Sequence, residues 1–350
     1  MSFKWLESPL HPVSTSHQEQ ALARQGQLTK PPGSLGRLEQ LAVQLAALQG
    51  TDQPGVDPVR IVVFAADHGI VEEGVSAFPQ AVTVEMVKNF SRGGAAISVL
   101  ARSLGARLEV VNVGTAGEVG ELQGVINQPV AQGTRSFLTQ SAMDEAQLGS
   151  ALAAGRDAVA RGVKEGMRLF IGGDMGIGNT TAATAVACAL LGLDATELAG
   201  PGTGLDEKGV AHKAEIMKQA LSHHQAALNT PLDILQHVGG FEIAALAGAY
   251  IHAAQQGVPS LVDGFIATSA ALAAVKLKPE LADWLLLAHA SAEPGHRRMV
   301  EAMGQAPLLD LGMRLGEGSG AAVAVNLLRS AVDLHNNMAT FAEAGVSEGD

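Results

Sequence analysis

The chain has 350 residues, 47% hydrophobic but only 3% aromatic, with 41 glycines and a formal charge of −12. That length fills one large core, or a core with a small satellite, packed from Ala, Val, Leu and Ile. The acidic balance argues against nucleic acid and anionic membrane surfaces as partners, and no stretch approaches the roughly 18 uninterrupted apolar residues of a membrane span.

In chain order, the opening MSFKWLESPLHP lacks the apolar stretch of a signal peptide. Cys188, the single cysteine, excludes an intrachain disulfide and sits in an apolar run as a buried, inert thiol. A cytoplasmic protein is the expectation. Helical patterns at 18–27 and 35–48 come first, and the Gly/Pro/Asp-rich segment 50–58 reads as a linker. Short apolar runs then mark strands at 60–65, 108–113, 168–171, 260–262, 284–288 and 308–311. Helices are predicted at 81–89, 95–104, 144–165, 180–191, 207–228, 242–256, 267–277, 294–303 and 318–330, and a last helical stretch at 331–344. This alternation predicts an α/β fold: a Rossmann-like parallel sheet of about six strands with crossover helices. Residues 51–329 form the expected catalytic domain. Residues 1–50 and 330–350 form a small helical domain built from both termini.

Ligands of open parallel sheets bind beyond the carboxyl ends of the strands. The residues just after each predicted strand, or leading on from it, are therefore informative: Asp67-His68-Gly69, Gly114-Thr115, GGDMGIGNTT (172–181), Asp263-Gly264, HASAEPGH (289–296) and GEGSG (316–320). Glycine and polar residues converge on one sheet edge, which a purely structural protein does not need. GGDMGIGNTT reads as strand, glycine turn and helix start, suited to a phosphate at the helix N-terminus or, alternatively, to tight strand–helix packing. It lacks GxxxxGK[ST] and the third glycine of a dinucleotide fingerprint. GPGTGLD (200–206) is a second glycine loop leading into a helix that carries Lys213, either a point charge for an anion or a solvated lysine. Glu317, flanked by glycines, reads as a general base in an apolar setting or as a helix-terminus glutamate. Asp174 either caps the next helix or orients a substrate. His68, His289 and His296 with Asp67, Asp174 and Asp263 show no metal-ligand spacing, so no metal is expected. Ser291 near His289 and Asp263 lacks the GxSxG elbow of a serine hydrolase.

Taken together, KPPGSLGRLE (30–39), ADHGIVEEGVSAFPQAVT (66–83), GGAA (93–96), GGDMGIGNTTAATA (172–185), GPGTGLD, HVGGFEIAALAGA (237–249), DGFIATSAAL (263–272), HASAEPGH and GEGSGAA (316–322) resemble one family. It is the nicotinate-nucleotide–dimethylbenzimidazole phosphoribosyltransferase family of the cobalamin lower-ligand pathway, and the likeness runs along nearly the whole chain. The resemblance implies transfer of 5-phosphoribosyl from nicotinate mononucleotide to 5,6-dimethylbenzimidazole, giving α-ribazole 5'-phosphate and nicotinate. It also implies a homodimer and no cofactor. Glu317 matches the family's general base. Gly176, Gly178, Lys213 and Ser291 match its phosphate contacts, with Gly202, Thr203 and Gly204 nearby. Asp174 and Asp263 join the candidate substrate-binding set. Phe78, Met86, Met175 and Leu315 are the expected walls of a flat acceptor pocket. Phe78, Gln80 and Lys88 fall where variation is expected, and the contacts of Gln80 and Lys88 are open. The competing functions are a nicotinamide-cofactor dehydrogenase and a non-catalytic nucleotide-binding module.

Overall fold

The computed structural model describes residues 3–202 and 204–347. Six parallel strands form one sheet: β1 (Val59–Ala66), β2 (Arg107–Gly114), β3 (Val125–Asn127), β4 (Leu169–Met175), β5 (Ser260–Val262) and β6 (Leu285–Leu287). Their order is β3-β2-β1-β4-β5-β6. The chain builds outward from β1 on one side, then returns to β1 and builds outward through β4 on the other. The order reverses between β1 and β4, where a doubly wound sheet opens a crevice at its carboxyl edge.

β1 is buried along its whole length. Its side chains alternate between the two faces. Val62, Phe64 and Ala66 join one apolar cluster with Phe170 and the helices Glu145–Lys164, Phe241–Gln255 and Phe265–Leu277. Ile61, Val63 and Ala65 join the other, with helices Ala81–Arg92, Ala96–Leu104 and Ser319–Asn337. With few aromatics, the core packs by close approach of backbones. A methyl at Gly155 would overlap the Ala245 carbonyl, and one at Gly248 the Leu152 carbonyl, so these two helices cross with almost nothing between them.

Several sequence expectations need correction. Residues 308–311 form no strand of the sheet. Leu309 makes one isolated parallel bridge to His289, and Pro307 before it and the left-handed Gly312 after it limit the extended run. The sixth strand is β3 instead, a three-residue, partly exposed edge strand too short to show alternation. Gly172-Gly173-Asp174-Met175 continues β4 rather than opening the turn, which begins at Gly176. Trp284 ends a 3₁₀ helix, Pro279–Trp284. The short helices Ala195–Leu198 and Pro231–Val238 add to the predicted set.

The terminal segments meet. The Arg24 guanidinium donates to the carbonyls of His335, Asn336 and Met338, and Leu28 bridges Thr340. Helix Ser319–Asn337 runs unbroken through residue 330, and helix Arg37–Gln49 places Leu41 and Leu45 in the second cluster. Among the described residues no helix is long and apolar enough to cross a membrane.

Candidate active site

The crevice at the β1/β4 switch holds a cavity of about 380 Å³. Its floor is Asp174, Met175 and Gly176 from the end of β4. Apolar walls come from Phe78, Val82, Met86, Ile177, Phe265, Ile266 and Leu315, and polar groups from Asn179, Thr180, His289, Ser291, Glu293, Arg314 and Glu317. A mostly apolar pocket with a few convergent polar groups is the ordinary form of a small-molecule site. Phe78 and Leu315, at 47% and 59% exposure, stand at its mouth.

Glu317 is held in an unusual backbone. Gly316, Glu317 and Gly318 have φ of 84°, 65° and 85°, and Glu317 is the only non-glycine with positive φ among the described residues. A left-handed glutamate costs about 1 kcal/mol or more. Its Oε2 accepts the Ile97 N–H at 3.1 Å, at the start of helix Ala96–Leu104. The carboxyl is raised above its ordinary 4.5 by burial first and then by the charge of Asp263; the Ile97 bond opposes both. The flanking glycines serve the turn itself. They meet its positive φ and let it lie against β4, where a methyl on Gly173 would overlap the Glu317 carbonyl.

Asp174, buried on the cavity floor, accepts the Asn179 side-chain amide at 3.0 Å. The N-cap of helix Asn179–Leu191 is the left-handed Gly178 rather than Asp174. Burial, then the charges of Asp263, Glu242 and Glu317, push the Asp174 carboxyl well above the usual range, against the Asn179 bond. Behind β1, Asp67 accepts the Thr83 hydroxyl at 2.6 Å and the Ala116 N–H at 2.8 Å. Thr83 Oγ1 in turn accepts the Ile177 N–H at 3.1 Å, fixing the turn after β4. His68 and Glu242, both fully buried, pair at 2.7 Å.

On the other side of the cavity, Lys213 is buried and donates to Thr180 Oγ1 at 2.8 Å. Burial lowers the ammonium to about 8, opposed by the nearby Glu293 carboxylate. Lys213 thus stands one residue behind the wall, with Thr180 between it and the cavity. The left-handed Gly202 packs on Thr180, and its carbonyl accepts the Arg314 guanidinium at 2.9 Å. Ser291 lies on the wall, and its backbone N–H donates to His296 Nδ1 at 3.0 Å. His296 is lowered to about 4 by burial and by His289, so it is neutral, and its Nε2 faces Thr268 at 3.1 Å rather than the Ser291 hydroxyl.

Of the sequence candidates, Glu317, Asp174, Met175, Gly176, Gly202, Ser291, Phe78 and Leu315 line the cavity. Gly178 does not; a methyl there would meet Val71 at 2.7 Å. Gln80 turns away and donates to the His68 carbonyl at 2.9 Å. Asp263 lies behind the Glu317 turn, and Gly204 is on the loop beyond the wall. Thr203 lies outside the described residues. Sequence reasoning assigned no role to Asn179, Thr180, Glu293 or Arg314, although the first three stand inside motifs that drew attention and Arg314 lies just before another. Among the described residues no group of three or more His, Cys, Asp or Glu is placed to hold a metal ion.

A family model described as phosphoribosyltransferase matches residues 10–346. The nicotinate-nucleotide–dimethylbenzimidazole phosphoribosyltransferases of Ectopseudomonas mendocina and Pseudomonas putida are 58% and 59% identical to this chain over 348 residues, 99% of each sequence. The crystal structure of the Thermus thermophilus enzyme of that name matches with a TM-score of 0.91 at 46% identity, covering 96% of this chain and 100% of the other. With the switch-point cavity and the motifs that line it, these matches place the chain in the nicotinate-nucleotide–dimethylbenzimidazole phosphoribosyltransferase family.

Proposed function

We propose that the protein transfers 5-phosphoribosyl from nicotinate mononucleotide to 5,6-dimethylbenzimidazole, with Glu317 as general base. The observation that carries this reading is Glu317 itself: a carboxylate on the wall of an apolar cavity, raised by burial and fixed in a left-handed turn.

The chemistry suits a single base. Nicotinate leaves as a neutral ring nitrogen from a pyridinium, so departure needs little acid assistance. One benzimidazole nitrogen attacks C1 of the ribose while the other loses its proton to Glu317, and the carbon–nitrogen bond to nicotinate breaks. A positioned base is worth about 10² to 10⁴ in rate, and holding ring and sugar in line supplies much of the rest. No phosphate bond is cleaved, so the reaction itself calls for no metal or cofactor.

The apolar walls Phe78, Met86, Met175 and Leu315 fit a flat ring. Thr180, Gly176, Ser291 and the Gly202 loop fit the phosphate, with Lys213 reinforcing Thr180 from behind. Asp174, its carboxyl raised well above the ordinary range by burial and neighbouring charge, is placed to hydrogen-bond a substrate on the cavity floor. In the same reading the protein is a cytoplasmic homodimer. The lone buried thiol Cys188 fits a reducing compartment. The exposed Phe78 and Leu315 form apolar surface that the terminal helical domain of a second copy would cover. Chromatography of nicotinate released from nicotinate mononucleotide, with and without dimethylbenzimidazole, tests the reaction. Release that depends on dimethylbenzimidazole is expected. Binding of both ligands without release would make the protein a non-catalytic module, and a change in reduced-nicotinamide absorbance would make it a dehydrogenase.

A further inference from the structure

Asp263 stands at the carboxyl end of β5, almost fully buried, with its carboxylate turned away from the cavity wall and toward the Glu317 turn. One oxygen accepts the Gly318 N–H at 3.1 Å and the other the Ala321 N–H at 2.9 Å. Helix Ser319–Asn337 has Gly318 as its N-cap, with no side-chain capping bond of its own. A residue from a different strand therefore caps it, the role usually filled from within the chain segment. The bond to Gly318 falls on the last of three consecutive left-handed residues. His289 Nε2 lies 3.5 Å from the same carboxylate, and a methyl on Gly320 would overlap the His289 ring. The turn is thus clamped between β4, β5 and His289.

We propose that Asp263 is the positioning residue for Glu317: its two backbone hydrogen bonds hold the strained turn that presents the base to the cavity. This inference rests on the reading of Glu317 as base. Its negative charge acts in the same direction, since Asp263 is the charged neighbour that adds to burial in raising Glu317. The other groups facing this pair are Asp174 from β4, Tyr250 from helix Phe241–Gln255, and His289 and His296 from the segment after β6. His289 is raised above its ordinary value; burial, the largest single effect, lowers it, but the hydrogen bond and charge of Asp263, the Ala290 backbone and the charge of Asp310 together outweigh burial. It therefore carries its proton through the acid range and offsets part of the Asp263 charge.

The test is Asp263→Asn made both in the otherwise native protein and together with Glu317→Gln. In the native background kcat for nicotinate release should fall about 10²-fold through misplacement of the base. The KM for nicotinate mononucleotide should hold within about threefold, since uniform binding is untouched. The acid limb of kcat/KM should move to lower pH. On the Glu317→Gln background the same change should cost less than about threefold, because the two residues act as one unit. Equal losses on both backgrounds, or an unmoved acid limb, would overturn the role of Asp263 and leave the base assignment standing. Near-normal turnover in Glu317→Gln alone would overturn the base assignment instead. Should Asp263→Asn not fold, Asp263→Glu keeps the charge but displaces both acceptor oxygens from the Gly318 and Ala321 N–H groups. Its kcat should fall with the KM held within about threefold, and a native kcat would overturn the proposal.

Discussion

The two ends of the same sheet treat buried carboxylates in opposite ways. At the amino end of β1 and β2, Arg60 bridges Glu109 at 2.5 Å and Glu165 at 2.6 Å, and Arg161 and Arg107 complete the network. At the carboxyl end, the charge of Asp263 raises both Asp174 and Glu317, and Glu317 raises Asp174 further. Among the described residues none of the three forms an ion pair with Lys or Arg. Breaking a matched buried pair is costly because it leaves a charge uncompensated, whereas carboxylates without a cationic partner in a cleft are characteristic of sites tuned for proton transfer. The second arrangement costs stability, and the rest of the sheet offsets that cost.

The largest effect should come from Glu317→Gln: kcat for nicotinate release falls by about 10² to 10⁴, with nicotinate mononucleotide binding retained by calorimetry. The same variant should be more thermally stable at neutral pH. A carboxyl raised in the folded state binds its proton more tightly there than in the unfolded chain. Its ionisation therefore removes stability as pH rises through the raised value, and glutamine escapes that loss. A lower melting temperature would break the contrast between the two ends.

Gly173→Ala comes next. The new methyl would press on the Glu317 carbonyl and lie 2.8 Å from the Gly318 nitrogen. Displacing the turn should cost about 10² in kcat, and steady-state kinetics with unchanged kcat would show that the turn tolerates movement.

The opposite end provides the control. Arg60→Met leaves Glu109 buried without its nearer partner and should destabilise by about 3–5 kcal/mol in chemical denaturation. Turnover per folded molecule should be unchanged below the melting range. A loss of kcat there would mean the two ends are coupled.

The smallest expected change is in Lys213→Met, about tenfold in the KM for nicotinate mononucleotide, the size of one charge-assisted hydrogen bond. In the native protein that KM should climb as pH rises past about 8, where the buried ammonium loses its proton.

Much of this contrast is legible in the sequence. The alternation of strands and helices points to the parallel sheet, and glycine-rich segments after the strands locate the reactive edge, because glycine is the residue that most readily takes a positive φ. β3 is not legible, since three residues on an edge carry no period. Residues 308–311 resemble a strand because Leu308, Leu309 and Leu311 are apolar; pairing beyond the end of β6 stops after one bridge. The function of the glycines beside Glu317 is invisible for a different reason. Their partner, Gly173, is some 140 residues earlier in the chain, and only the parallel crossover brings the two together. Asp263 reads as a ligand contact because it comes after a strand; its two bonds to the Glu317 turn depend on where β5 ends relative to helix Ser319–Asn337.

The central claim is that Glu317 is a base raised by burial and by the Asp263 charge, with no Lys or Arg ion pair among the described residues to lower it. Carbon-detected titration of δ-carboxyl-labelled glutamate, with the Glu317 resonance assigned by its loss in Glu317→Gln, tests it directly. The resonance should titrate above the ordinary glutamate value of 4.5 and move down in Asp263→Asn. Titration at or below the ordinary value in the native protein would contradict the claim.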